Sequence, residues 1–106
     1  MREADVKQFE AARRGGAACF DTRTKGRFEE DGLPGTTHLD LADVQAGWLP
    51  PVAPDTPIYL ICERGQTSEL VGLYLEAAGF SDVHNVTGGM IAWRRSIGTD
   101  HESENS

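Results

Sequence analysis

Basic charge is scarce in this chain: 10 lysines and arginines stand against 17 aspartates and glutamates, a formal net charge of −7 over 106 residues. That balance opposes binding to nucleic acid and to anionic membrane surfaces and suits a soluble protein. No apolar run approaches membrane-spanning length, and Met1-Arg2-Glu3-Ala4-Asp5 lacks the apolar core of a signal peptide. The expected location is therefore cytoplasmic. Cysteine is nearly absent, with only Cys19 and Cys62, which in that setting read as reduced thiols and not as a disulfide framework. His38, His84 and His101 are scattered without ligand spacing to either cysteine, so neither a metal site nor a cofactor is expected. There are no repeats, and the length suits one domain with a single core.

What the chain does have is 12 glycines and 39% apolar residues, enough to punctuate several short elements. Residues 3–14 carry Val6 and Phe9 on one face and Arg13-Arg14 before Gly15-Gly16, which predicts a short amphipathic helix. Residues 17–21 predict a strand and 25–31 a polar helix anchored by Phe28, with Asp21 and Arg23 read as a structural pair fixing the turn between them. After the turn Gly32-Leu33-Pro34-Gly35 come a short strand at 36–39 and a helix capped by Asp40 that ends at Gly47, with Leu41 and Val44 facing inward. Four prolines between Trp48 and Pro57 exclude a helix there. A buried strand at 57–61 leads through a loop into helix-forming residues 69–78, whose Leu70, Val71, Tyr74, Leu75 and Ala78 are its apolar side chains. Residues 83–86 form a last strand, and Thr87-Gly88-Gly89 opens a helix in which Trp93 belongs to the core. Gly88-Gly89 has no third glycine or lysine in register, which argues against nucleotide binding. Alternating strands and helices predict an α/β domain over residues 1–98, a mostly parallel central sheet with helices on both faces, followed by an acidic, disordered tail at 99–106.

The most informative stretch is Cys62-Glu63-Arg64-Gly65-Gln66-Thr67-Ser68, between a parallel strand and its helix. In such a unit the N–H groups of the loop and of the first helical turn converge, and ligands are bound beyond the strands' carboxyl ends. A cysteine starting that loop is favoured as a thiolate and is a candidate nucleophile. Glu63, Arg64, Gly65, Gln66, Thr67 and Ser68 are the candidate substrate-binding residues. Arg64 is either a solvated charge or a rim cation attracting an anionic donor, and Glu63 either balances Arg64 or faces solvent. Thr67 and Ser68 either donate to sulfur or cap the helix. Gly65 supplies a backbone conformation or a close approach that a side chain would forbid. Cys19, in Ala17-Ala18-Cys19-Phe20, reads as packing.

Four segments in order resemble the single-domain rhodanese-like sulfurtransferases. Phe20-Asp21-Thr22-Arg23 is similar to the family's D-x-R, and Arg27-Phe28 through Leu33-Pro34-Gly35 to its E-F…G-H-I-P-G-A. Cys62 to Ser68 is similar to C-x-x-G-x-[RT]-[SA], and Gly88-Gly89-Met90-Ile91-Ala92-Trp93 to G-G-x-x-A-W. Gly32 stands where the family often has histidine, Gly35-Thr36 where it has a glycine-alanine pair, and Glu63 where thiosulfate-using relatives often carry a basic residue. The resemblance implies a rhodanese-like domain in which Cys62 accepts a sulfane sulfur from thiosulfate or another persulfide donor and passes it to a thiol or cyanide. A small anionic donor and a thiol or cyanide acceptor are the implied partners, with a sulfur-relay protein as a further one. The alternative is a persulfide carrier or docking module serving a partner enzyme. A phosphatase or arsenate reductase would need a loop one residue longer that ends in arginine, and six positions beyond Cys62 is Ser68.

Overall fold

Five short strands, all parallel, run in the order β1-β5-β4-β2-β3 in a computed structural model that describes residues 1–98; the tail expected at 99–106 lies outside the described residues. In chain order the elements are β1 (Arg2–Ala4), α1 (Val6–Arg14), β2 (Ala18–Asp21), α2 (Lys25–Asp31), β3 (Thr36–His38) and α3 (Leu41–Gln45). There follow β4 (Ile58–Ile61), α4 (Gln66–Ala77), β5 (Val83–Val86), α5 (Gly89–Trp93) and a π-helical turn, Arg94–Gly98. The expected architecture is the one observed, a parallel sheet covered on both faces.

An all-parallel sheet must be apolar on both sides, and β4 shows why its sequence is a continuous apolar run. Ile58 and Leu60 point into one core with Phe20, Leu39, Val44, Val71, Leu75, Phe80 and Val83. Ile61 points into the other, with Phe9, Cys19, Val86 and Met90, and Tyr59 packs on that cluster. Among the described residues no helix is long and apolar enough to cross a membrane.

Three helices differ locally from expectation. The helix expected at 3–14 begins only at Val6, because residues 2–4 form an edge strand in register with His84, Asn85 and Val86 of β5. Asp5 then closes a capping box with Gln8: its carboxylate accepts from Gln8 N–H and Gln8 Oε1 accepts from Asp5 N–H, both at 2.8 Å. The long helix starts at Gln66, three residues before the expected Glu69, and buries Ser68, Val71, Gly72 and Leu75. Leu70 and Tyr74, expected among its apolar side chains, are 49% and 43% exposed. Asp40 occupies the N-cap of α3 but makes no side-chain cap bond.

From β2 the chain steps through α2 to β3 on one side, and from β4 through α4 to β5 on the other. The two connections diverge from the carboxyl ends of β2 and β4, and a crevice opens between them. Its wall on the β2 side is fixed by a buried ion pair: Arg23 Nε donates to Asp21 Oδ1 at 3.0 Å and Nη2 to Oδ2 at 2.8 Å, with both side chains at most 3% exposed. Removing one member leaves the other charge buried and less compensated. Asp21→Ala is expected to lose about 3 kcal/mol of stability in urea unfolding; a loss well under about 1 kcal/mol would show that Arg23 does not depend on Asp21.

Candidate active site

Cys62 directly follows β4, and its sulfur lies at the boundary between core and crevice. Two main-chain bonds from the amino end of α5 hold the residues that follow the strand: Met90 N–H donates to the Cys62 carbonyl at 2.8 Å and Ile91 N–H to the Glu63 carbonyl at 3.1 Å. With those carbonyls turned toward α5, the N–H groups further along the loop are free to face the sulfur. Gly65 N–H donates to Cys62 Sγ at 2.9 Å, and Ser68 Oγ lies 3.3 Å from it. Gly65 has φ +98°, the left-handed conformation that glycine adopts without penalty, while a Cβ there would meet only ordinary contacts. It is the conformation, not the space, that calls for glycine. At Gly89 both apply: φ is +58°, and a Cβ would collide with the Cys62 and Glu63 carbonyls.

Burial disfavours the Cys62 thiolate, but the Ser68 hydroxyl and the backbone N–H groups of Ser68, Gly65 and Arg64 outweigh it and hold the thiol below its usual range. Cys19 shows the opposite outcome. Burial pushes its thiol up to about 11, only weakly opposed by the Arg13 charge. Neither cysteine is in a disulfide.

A cavity of about 470 Å³ opens over Cys62, lined also by Glu63, Thr67, Thr22, Arg23, Thr24, Arg27, Asp40 and Leu41. A larger hollow, about 580 Å³, is lined by α1 residues with Arg2, Tyr59 and His84 and has no cysteine in its wall. Of these two, only the smaller has a cysteine in its wall. Of the loop residues expected to meet substrate, Cys62, Glu63 and Thr67 line the cavity, and Gly65 and Ser68 are buried behind the sulfur. Arg64 and Gln66 are exposed and lie outside the lining.

Glu63 does not balance Arg64. Its carboxylate is held between Arg27, which donates to Oε2, and Arg94, which donates to Oε1 at 2.7 Å. Arg94 also reaches Asp31 at 3.1 Å, and Asp31 accepts from Arg23 at 2.8 Å. Carboxylates and guanidinium groups thus alternate from Asp21 to Arg27 around the mouth. Arg23 is committed to this network, with a side chain only 3% exposed, while that of Arg27 is 49% exposed.

Among the residues of this site that sequence reasoning misses are Arg27, Arg94, Asp40 and Asn85. Arg27 falls within a motif that gives it no role. Asn85 carries a usable signal, since a polar side chain in a strand buried on both faces must find partners.

A parallel sheet whose connections diverge over a cysteine facing N–H and O–H donors defines a class of α/β domain with its crevice at the strands' carboxyl ends. This chain belongs to the rhodanese-like domain family, whose model matches residues 5–96. It is similar to the thiosulfate sulfurtransferase GlpE of Pseudomonas syringae pv. syringae, 35% identical over 88 residues that span 83% of this chain and 82% of that protein. The GlpE of Pseudomonas savastanoi pv. phaseolicola is 34% identical over the same shares of each chain. The crystal structure of a rhodanese-like domain protein from Staphylococcus aureus superposes with a TM-score of 0.76 at 25% identity, covering 88% of this chain and 91% of that one.

At neutral pH a small alkylating agent is expected to label Cys62 and spare Cys19, read by peptide mass spectrometry. Equal labelling would contradict the contrast between the two sulfurs. Gly89→Ala is expected to displace the Cys62 carbonyl and slow alkylation at Cys62 by at least about tenfold, since a hydrogen-bonded loop cannot absorb the clash in place; unchanged reactivity would show that α5 does not set the loop.

Proposed function

We propose that this protein is a sulfurtransferase that carries a sulfane sulfur on Cys62 as a persulfide. The observation that carries the reading is the sulfur of Cys62, held below the usual thiol range by Ser68 and backbone N–H groups at the floor of a cavity. The names of the similar proteins point to thiosulfate as a donor. In the first half-reaction the thiolate attacks the outer sulfur of thiosulfate, the S–S bond breaks and sulfite leaves with the bonding pair. The loop then surrounds an anionic terminal sulfur with the same class of N–H donors that stabilised the thiolate. In the second, cyanide or a thiolate acceptor attacks that sulfur and Cys62 leaves as thiolate. No proton or electron is left over, and donor and acceptor visit in turn, which predicts ping-pong kinetics.

A phosphatase reading asks for an arginine at the end of the loop to grip an oxyanion. Ser68 stands there, fully buried against sulfur. A carrier reading finds support in Leu70, Leu73 and Tyr74, exposed on the helix that follows the loop. A carrier would be loaded from thiosulfate but pass its sulfur poorly to cyanide.

Arg27, half-exposed and in the cavity wall, is assigned to the donor's anionic end, with Arg64 confined to long-range attraction. Thiocyanate formation is expected to vanish in Cys62→Ser, because a serine hydroxyl is too weak an acid for the loop to ionise. Arg27→Ala should raise KM for thiosulfate about tenfold, because the donor's anionic end then has no charge-assisted hydrogen bond from that wall. Arg64→Ala should raise it less than about twofold, as for a screened surface charge. Near-normal turnover in a folded Cys62→Ser protein would overturn the mechanism, and the reverse order of the two arginines would overturn the assignment of the anion.

A further inference from the structure

Among the groups on the Cys62 sulfur are the Gly65 N–H and the Ser68 hydroxyl, and one side chain behind them holds both residues. Asn85, on β5 and only 3% exposed, accepts from Ser68 Oγ at Oδ1 and donates from Nδ2 to the Gly65 carbonyl at 3.1 Å. Ser68 is fully buried. A hydroxyl carries one proton and two lone pairs. Asn85 Oδ1 and Cys62 Sγ therefore compete for a single proton.

The charge of the sulfur decides that competition. While Cys62 is a thiol, its S–H can point at Ser68 Oγ and the Ser68 O–H at Asn85 Oδ1, so three groups in series are satisfied. When the thiol proton leaves to the cavity, Sγ has nothing to donate and a full charge to be stabilised. The Ser68 O–H then turns to sulfur, a charge-assisted bond, and Oδ1 gives up its donor. We propose that the Ser68 hydroxyl is a two-position proton switch, held by Asn85 while Cys62 is a neutral thiol and turned to Sγ when the sulfur is anionic.

Asn85 is thus a positioning residue that acts through Ser68. By giving the hydroxyl a second acceptor it stabilises the resting thiol and keeps part of the thiolate's stabilisation in reserve until a charge is present to claim it. The charged groups facing this trio are Glu3 of β1, whose Oε1 is 3.5 Å from Asn85 Nδ2, and Arg23, Arg27, Asp40 and Glu63 in the cavity wall with Cys62. None of them is removed with Asn85. Nor does the loop hang on Asn85 alone, since Met90 and Ile91 fix the Cys62 and Glu63 carbonyls from the other side. Taking away the competing acceptor therefore frees the Ser68 proton for sulfur while the loop stays in place.

The switch predicts a counterintuitive sign. Asn85→Leu, close in shape and without polar atoms, should lower the pH at which Cys62 becomes reactive, and Ser68→Ala should raise it. The measurement is the iodoacetamide alkylation rate of Cys62 against pH, followed on its own peptide, in folded full-length protein. Below the midpoint Asn85→Leu should react about fivefold faster, the worth of one hydrogen bond, and the same substitution in a Ser68→Ala background should change nothing. Should the leucine variant not fold, Asn85→Ala carries the same expectation. An unchanged or raised midpoint, or an equal gain with Ser68 absent, would overturn the switch and leave Asn85 as a structural tie. The proposal rests on Cys62 as the sulfur carrier, but alkylation uses the unloaded protein. A shifted profile without sulfur transfer would therefore count against the transfer reading alone.

Discussion

The site depends on the direction of two carbonyl groups. Once β4 ends, the chain could turn its C=O groups toward the sulfur and its N–H groups away, and the thiol would then be raised by burial as Cys19 is. The amino end of α5 prevents this by taking the Cys62 and Glu63 carbonyls. That approach is possible only because residue 89 has no side chain. Gly65 in its left-handed conformation completes the turn and places its own N–H on sulfur. The parallel sheet matters to this chiefly as a jig, since β4 and β5 lie side by side and deliver loop and α5 to one place.

The same loop ties separate elements together electrostatically. Glu63 ties α2, through Arg27, to the π-helical turn, through Arg94, and Asp31 links that turn back to Arg23 and the end of β2. These three cations near the cavity are each matched with a carboxylate, so the mouth has an ordered charge pattern and little free positive charge. A dianionic donor must therefore draw Arg27 away from Glu63 or share it. Thr67 stands in the same wall, its hydroxyl able to donate where the ion pairs cannot.

Much of this was legible in the sequence for a physical reason. A continuous apolar run, a cysteine, a glycine-containing loop and a helix in succession admit few arrangements other than a buried parallel strand feeding a helix, and the motifs around Asp21, Cys62 and Gly88 reinforce one another. The features that were not legible depend on distant partners. β1 is three residues long, too short to display alternation, and exists because β5 offers it an edge. Leu70 and Tyr74 have apolar side chains in a good helix, but the start of that helix at Gln66 and the burial of Val71 and Leu75 turn them outward. Arg64 is close in sequence to Cys62 and lies outside the cavity wall, whereas Arg27 is 35 positions away in the chain and lines the cavity. Adjacency along the chain is a poor guide to which charges line a cavity.

The claim on which the account turns is that Cys62 carries the transferred sulfur covalently. Intact-mass measurement of the protein after incubation with thiosulfate and removal of excess donor tests it most directly. The predicted result is the addition of a single sulfur atom, mapped to the peptide that contains Cys62 and discharged by cyanide. No added mass, or sulfur found on Cys19 instead, would contradict it.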